Sequence, residues 1–247
     1  MNTSAKTTKK IRRKIPVYTV LDMANPEHLR TALGGAEHIK EWRQNTERQR
    51  LDLYEADLHK VDLSGADLTG AFLPGANLAY AKLVGANLSH ANLNHANLFC
   101  ADATKAKLPN LQAEEANFQQ TNLDHADLTH ANLNFAILAS TRLFCADLSS
   151  SSLIGTVMFY TDLMWAHLDD ATMNDTAISG INLTEIMGLD TVKHQGPSCI
   201  SIDTLEQTYY RGKCWTPMVE SFLLKAGVPK QILDVFPQII AAEDRSL

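Results

Sequence analysis

From Gly65 to Leu88 the chain reads GADLTGAFLPGANLAYAKLVGANL, with an apolar residue at every fifth position. The register runs without insertion from Leu53 to Leu183, through 27 five-residue units, of which 21 have Leu at the centre. The other centres are Ala103, Ala113, Phe118, Met158, Met173 and Ile178, and Ala stands two residues before the centre in 17 units. A five-residue step carries a side chain about 140° around an α-helix, which smears the leucines over the whole surface. In a strand five is odd, so they would change face at every unit. A chain that turns one corner per unit keeps every Leu and every preceding Ala pointing inward. Four right-angle corners close a square coil, and stacked coils pair at about 4.8 Å, as strands do. The spacing therefore predicts about seven coils and a rod roughly 30 Å long.

The exceptions agree with such a coil. Leu111 takes an Ala slot where Ala113 takes a Leu slot, so volume is exchanged locally. Pro74 and Pro109 fall one place after a centre, at a corner, where a fixed φ is tolerated. Small and medium apolar side chains fill the interior and leave no room for a ligand. Function is therefore expected on the outer faces or in the flanks.

The run ANLSHANLNHANL, Ala86 to Leu98, resembles the A(D/N)LxX motif of the pentapeptide-repeat family. That resemblance implies a right-handed quadrilateral β-helix, and hence an all-β fold class with helical flanks. The lead-in HIKEWRQN and the later GPSCISIDTL and FLLKAGVP are similar to segments that flank such repeats in some bacterial proteins. In those relatives the block often adjoins a TIR effector domain, which this sequence lacks, so no effector activity carries over.

Charge divides the chain into three blocks. Residues 1–50 hold 11 Lys+Arg against 5 Asp+Glu, residues 51–185 hold 5 against 16, and residues 186–247 hold 6 against 7. We expect a basic tail over 1–24, a helical cap over 25–50, the repeat rod over 51–185 and a helical interaction block over 186–247. Open coil ends need caps. Asn25 and Pro26 suit a helix start, Gly34 and Gly35 a stop, and Ile39 and Trp42 are the expected plug of the first coil. In the C-terminal block, Pro217 opens a helix with Phe222 and Leu223 on one stripe, and Gly227 and Pro229 end it.

Residues 20 apart should stack one coil up. Phe144 then lies below Met164 and beside Trp165, and Phe159 and Tyr160 occupy the adjoining side. These five, with Phe222 and Leu223, are the candidate surface for a protein partner, for a second copy, or for docking of the chain's own C-terminal block. No nucleophile, base and orienter set appears, no phosphate loop follows a strand, and the histidines do not gather at metal-ligand spacing. An enzyme, a cofactor, a metal and a small-molecule ligand are accordingly not expected. Nor is direct nucleic-acid binding or a membrane span, because no apolar run reaches about 18 residues. Four cysteines without CxxC pairing fit reduced thiols in a cytoplasm. The competing reading is DNA mimicry: some members of the family resemble a DNA rod and bind type II topoisomerases. The acids Asp162, Asp169, Asp170 and Asp175 would carry it here.

Overall fold

The computed structural model describes residues 24–46 and 49–243. The expected basic tail lies almost wholly outside them. Two short helices, α1 (Pro26–Leu33) and α2 (Gly35–Asn45), precede the repeats. From Asp52 onward the residues before the centres form parallel bridges with counterparts 20 positions later, from Asp52↔Phe72 to His167↔Met187, with Asp162 the exception. A unit thus contributes one bridge and one turn, and four units return the chain to the same side, one coil up. The repeats therefore wind as a β-helix. The bridges lengthen into named strands only late, as β1 (Val157–Phe159), β2 (Thr172–Met173) and β3 (Ala177–Ser179).

The corner explains the repeat motif. The amide of each Ala donates to the carbonyl of the preceding centre, as Ala56 does to Leu53 at 3.0 Å. The second residue after a centre then takes positive φ, from Asp175 at 50° to Gly65 at 69°. Asp or Asn before the centre accepts the amide of the residue two places on, as Asp52 does from Tyr54 at 3.3 Å and Asn92 from Asn94 at 2.9 Å. This outward amide has no partner in the ladder, which is why Asp or Asn recurs in that slot. Gln112, Arg142 and Ser152 stand in that slot without filling the role. There the acceptor comes from one coil below: Asn94 serves Glu114, Asp124 serves Phe144 and Asn134 serves Ile154.

Inside, the leucines are fully buried and the alanines beside them nearly so. Threonine replaces Ala at 121, 141, 156, 161 and 176 without leaving a polar orphan. Each hydroxyl donates to the carbonyl of a centre one coil down, at 2.7 to 2.9 Å.

The ladder does not stop at the boundary near 185 read from the sequence. It continues through β4 (Lys193–His194) on β2, with partners 21 apart, and β5 (Cys199–Ile200) on β3, with partners 22 apart. A left-handed Gly188 followed by a 3-10 turn at Leu189–Thr191, and then the Gly196-Pro197 loop, accommodate the extra residues. Loss of the five-residue period hid this last coil. Three helices follow: α3 (Ile202–Gly212), α4 (Pro217–Lys225) and α5 (Lys230–Glu243).

Both ends of the coil are covered. At the first, Ile39 is 0% and Trp42 7% exposed, His28 Nδ1 accepts the Asp52 amide at 2.9 Å, and the Arg43 guanidinium donates to the carbonyls of Asp67 and Thr69 at 2.7 and 2.8 Å. At the last, α3 lies across the open backbone. Thr204 and Thr208, one turn apart on α3, accept the amides of Ile181 and Leu183.

Candidate interaction surface

The first and second residues after each centre form a corner, and a ring at one position can meet a ring at the other position one coil away. At one corner this stacks His125, Phe144 and Trp165, with ring centroids 5.5 Å and then 5.3 Å apart. Met164 lies beside them, half-buried. Trp165 is 51% exposed. Across the next corner are Phe159, 42% exposed, and Tyr160, 65% exposed. Tyr160 folds its ring over Gly180, where a Cβ would come within 2.4 Å of it. Large rings thus stand open to solvent on a backbone tied above and below by ladder hydrogen bonds.

Beside this patch, Tyr160, Asp162, Met164, Gly180, Glu185 and Arg211 surround a recess of about 390 Å³. Arg211 comes from α3, so the C-terminal block borders the patch without covering it. Phe222 and Leu223 lie elsewhere. Both are fully buried at the rod's last coil, where the Phe222 ring meets His194 edge-on with centroids 5.0 Å apart. The sequence grouped them with the lateral aromatics; the structure keeps the two sets apart, because α4 packs on the turn at Leu189–Thr191. Both ring nitrogens of His194 are buried without a hydrogen-bond partner. Burial, and then the charge of Lys225, lower its pKa.

The four acids do not form one stripe. Asp162 accepts the Met164 amide at 3.1 Å, Asp169 lies 3.3 Å from His167, Asp170 pairs with Lys193 at 2.8 Å, and Asp175 stands exposed at a separate corner. A larger apolar groove, about 950 Å³, runs between α3 and α5 and is lined by Ile202, Ile232, Val235 and Ile239 among others. Sequence reasoning missed it, although the alternation of two apolar stripes on KQILDVFPQII is a readable signal. Among the described residues no group of three or more His, Cys, Asp or Glu is placed to hold a metal, and no helix is long and apolar enough to cross a membrane.

The family model described as pentapeptide repeats matches eight copies, over residues 49–73, 56–94, 73–110 and 114–148. This stretch of the chain is a run of pentapeptide repeats. Solved structures similar to it include a pentapeptide-repeat protein, Rfr23, from the cyanobacterium Cyanothece, at 33% identity over 36% of this chain and 62% of that one, with a TM-score of 0.36. HetL, a pentapeptide-repeat protein involved in heterocyst differentiation regulation in the cyanobacterium Nostoc, matches at 27% identity over 57% of this chain and 69% of its own, with a TM-score of 0.33. QnrB1, a plasmid-mediated fluoroquinolone resistance protein, matches at 17% identity over 65% and 88%, with a TM-score of 0.39. The chain spans less than two thirds of Rfr23. No curated protein matches it.

Proposed function

We propose that this pentapeptide-repeat protein is a non-catalytic protein-binding module whose β-helix holds an aromatic contact surface rigid. The supporting observation is the exposure of Trp165 and Tyr160, at 51% and 65%, on neighbouring corners of the same late coil. Exposed Trp and Tyr on a stiff scaffold lose little conformational freedom on contact and are enriched where interfaces draw their affinity. Phe144 and Met164 widen the surface, and Asp162, Glu185 and Arg211 give it a polar rim.

Acidic mimicry of DNA, with a type II topoisomerase or another DNA-binding protein as target, is the second reading. The net charge of −11 over residues 51–185 favours it. The pairing of Asp170 with Lys193 weakens it, because that charge is already partly met.

One pull-down from native lysate separates the two. The chain with Trp165→Ala and Tyr160→Ala should lose its partner, and the chain with Asp162→Arg and Asp169→Arg should keep it. The reverse pattern transfers the function to the acids.

A further inference from the structure

Helix α5 is apolar on two faces. Leu233, Phe236 and Ile240 are at most 5% exposed and hold it to the C-terminal block. Ile232, Val235 and Ile239 repeat the same i, i+3, i+7 spacing but stand 46%, 47% and 48% exposed. At about 3.6 residues per turn the two stripes are centred about 100° apart, so they adjoin. The open stripe forms one wall of the apolar groove of about 950 Å³. The other wall is α3, with Leu205 buried and Ile202 67% exposed. Glu206 is the one charged residue lining it. Lys230 and Asp234 lie on the opposite side of α5 from the open stripe and pair at 3.2 Å, and Lys230 also meets Glu220 at 3.1 Å. A helix apolar on two adjoining faces has a second face to bury.

We propose that a second copy of this chain fills this groove with its own α5. The occupant that suits a groove between helices presents apolar anchors at i, i+3 and i+7. The open stripe of α5 is such an occupant, and it lies beside the groove on the same surface. A two-fold axis in the plane of contact, parallel to α5, carries each stripe into the groove of the other copy, so both grooves fill at once. The same rotation exchanges the edges of the surface. The edge of α5 beyond the stripe, with Gln231 and Gln238, then crosses toward α3 of the second copy, and Glu206 there meets amides rather than another acid. Charge favours this end for self-contact. Residues 186–247 hold 6 Lys+Arg against 7 Asp+Glu, whereas two rods of net −11 over 51–185 repel when brought side by side. The 14 residues of α5 span about 21 Å, and two neighbouring helices are about 20 Å wide. A contact of about 400 Å² in plan is about half of the roughly 800 Å² that each partner gives a standard interface, so the dimer is weak and reversible.

The test is sedimentation velocity of the full chain at loading concentrations from micromolar to millimolar, with Val235→Glu and Ile137→Glu. Val235 is the middle of the open stripe, and its half-open side chain lets the substitution leave the fold intact, which an unchanged thermal midpoint checks. Ile137 is the control: it is an aliphatic residue 41% exposed on the rod, and Asp57 already stands at its equivalent position. The expected result is a concentration-dependent monomer–dimer equilibrium, weakened about tenfold or more by Val235→Glu and unchanged by Ile137→Glu. A wild-type monomer at every concentration overturns the proposal. So does a dimer that Val235→Glu leaves intact, or one that Ile137→Glu abolishes, which moves the contact to the rod. The proposal does not rest on the Trp165 surface. Trp165→Ala should leave the dimer unchanged, and Val235→Glu should leave capture of the heterologous partner unchanged, so each reading fails separately.

Discussion

Thr208 on α3 accepts the amide hydrogen of Leu183 at 3.1 Å, across 25 residues of sequence, and both side chains are buried. The same hydroxyl reaches the Ile181 carbonyl at 3.5 Å, and Thr204 bridges the Ile181 amide and the Ile178 carbonyl at 3.4 Å each. Here the next coil would have supplied ladder bonds. Two threonines one helical turn apart supply them instead, so α3 is an end cap built from side chains. Thr208→Val keeps the shape and leaves the Leu183 amide buried and unpaired. The expected loss is about 1 to 3 kcal/mol, read in urea unfolding, with faster hydrogen exchange at Leu183. Thr141→Val is the comparison. The Phe118 carbonyl that Thr141 serves keeps a bond from the Thr121 amide, so the loss there should be nearer 1 kcal/mol.

This cap shows where the sequence was readable and where it was not. The rod from Leu53 to Leu183 was legible because its signal is local: five residues define the corner, and the same five recur. The Asp or Asn before each centre was recognised as belonging to the repeat. Its task, holding the amide two residues on, needed coordinates. The substitutes Asn94, Asp124 and Asn134 were invisible, because each acts one coil away, 20 residues later. The last coil was hidden by two small insertions that shift its register to 21 and then 22. At the candidate surface, stacking of Phe144 with Trp165 follows from the period. Separation of Phe222 from them does not, because helix packing beyond the repeat has no fixed register.

Capping at the first end gives a second expectation. Ile39 is fully buried in the core at the capped first end, and Ile39→Ala leaves a cavity there with partial collapse at best. The expected destabilisation is about 2 to 5 kcal/mol. Because coils contact only their neighbours, it should show first as local fraying. Hydrogen exchange should quicken at Leu53, Leu58 and Leu63 while amides beyond Leu123 stay protected.

His194 predicts a dependence on pH. Its native pKa is lowered, by burial first and by Lys225 second, and the Phe222 ring closes over it. The folded state therefore favours the neutral ring. The stability this contributes is complete above the unfolded pKa of about 6.5 and is lost as pH falls from there toward the depressed native value. The midpoint of thermal unfolding should drop between pH 7.5 and 5.0, and His194→Phe should flatten that drop. An equal drop in both proteins assigns the pH dependence to other groups.

Trp165 is the sharpest functional expectation. Of the three tryptophans, Trp42 is buried under the first coil, Trp215 donates its indole hydrogen to the Leu233 carbonyl at 3.0 Å, and Trp165 stands 51% open. Acrylamide should quench mainly the Trp165 emission, and Trp165→Phe should remove most of the quenchable signal. A bound partner should shield that signal in the wild type. Trp165→Ala should then weaken capture of the partner by about tenfold to a hundredfold, the range for an exposed aromatic anchor. Unfolding should shift little, because the ring's main contact, Phe144, is itself at the surface. Undiminished capture by Trp165→Ala, alongside unchanged stability, removes the aromatic corner as the contact surface and leaves the acids Asp162 and Asp169 to be tested in its place.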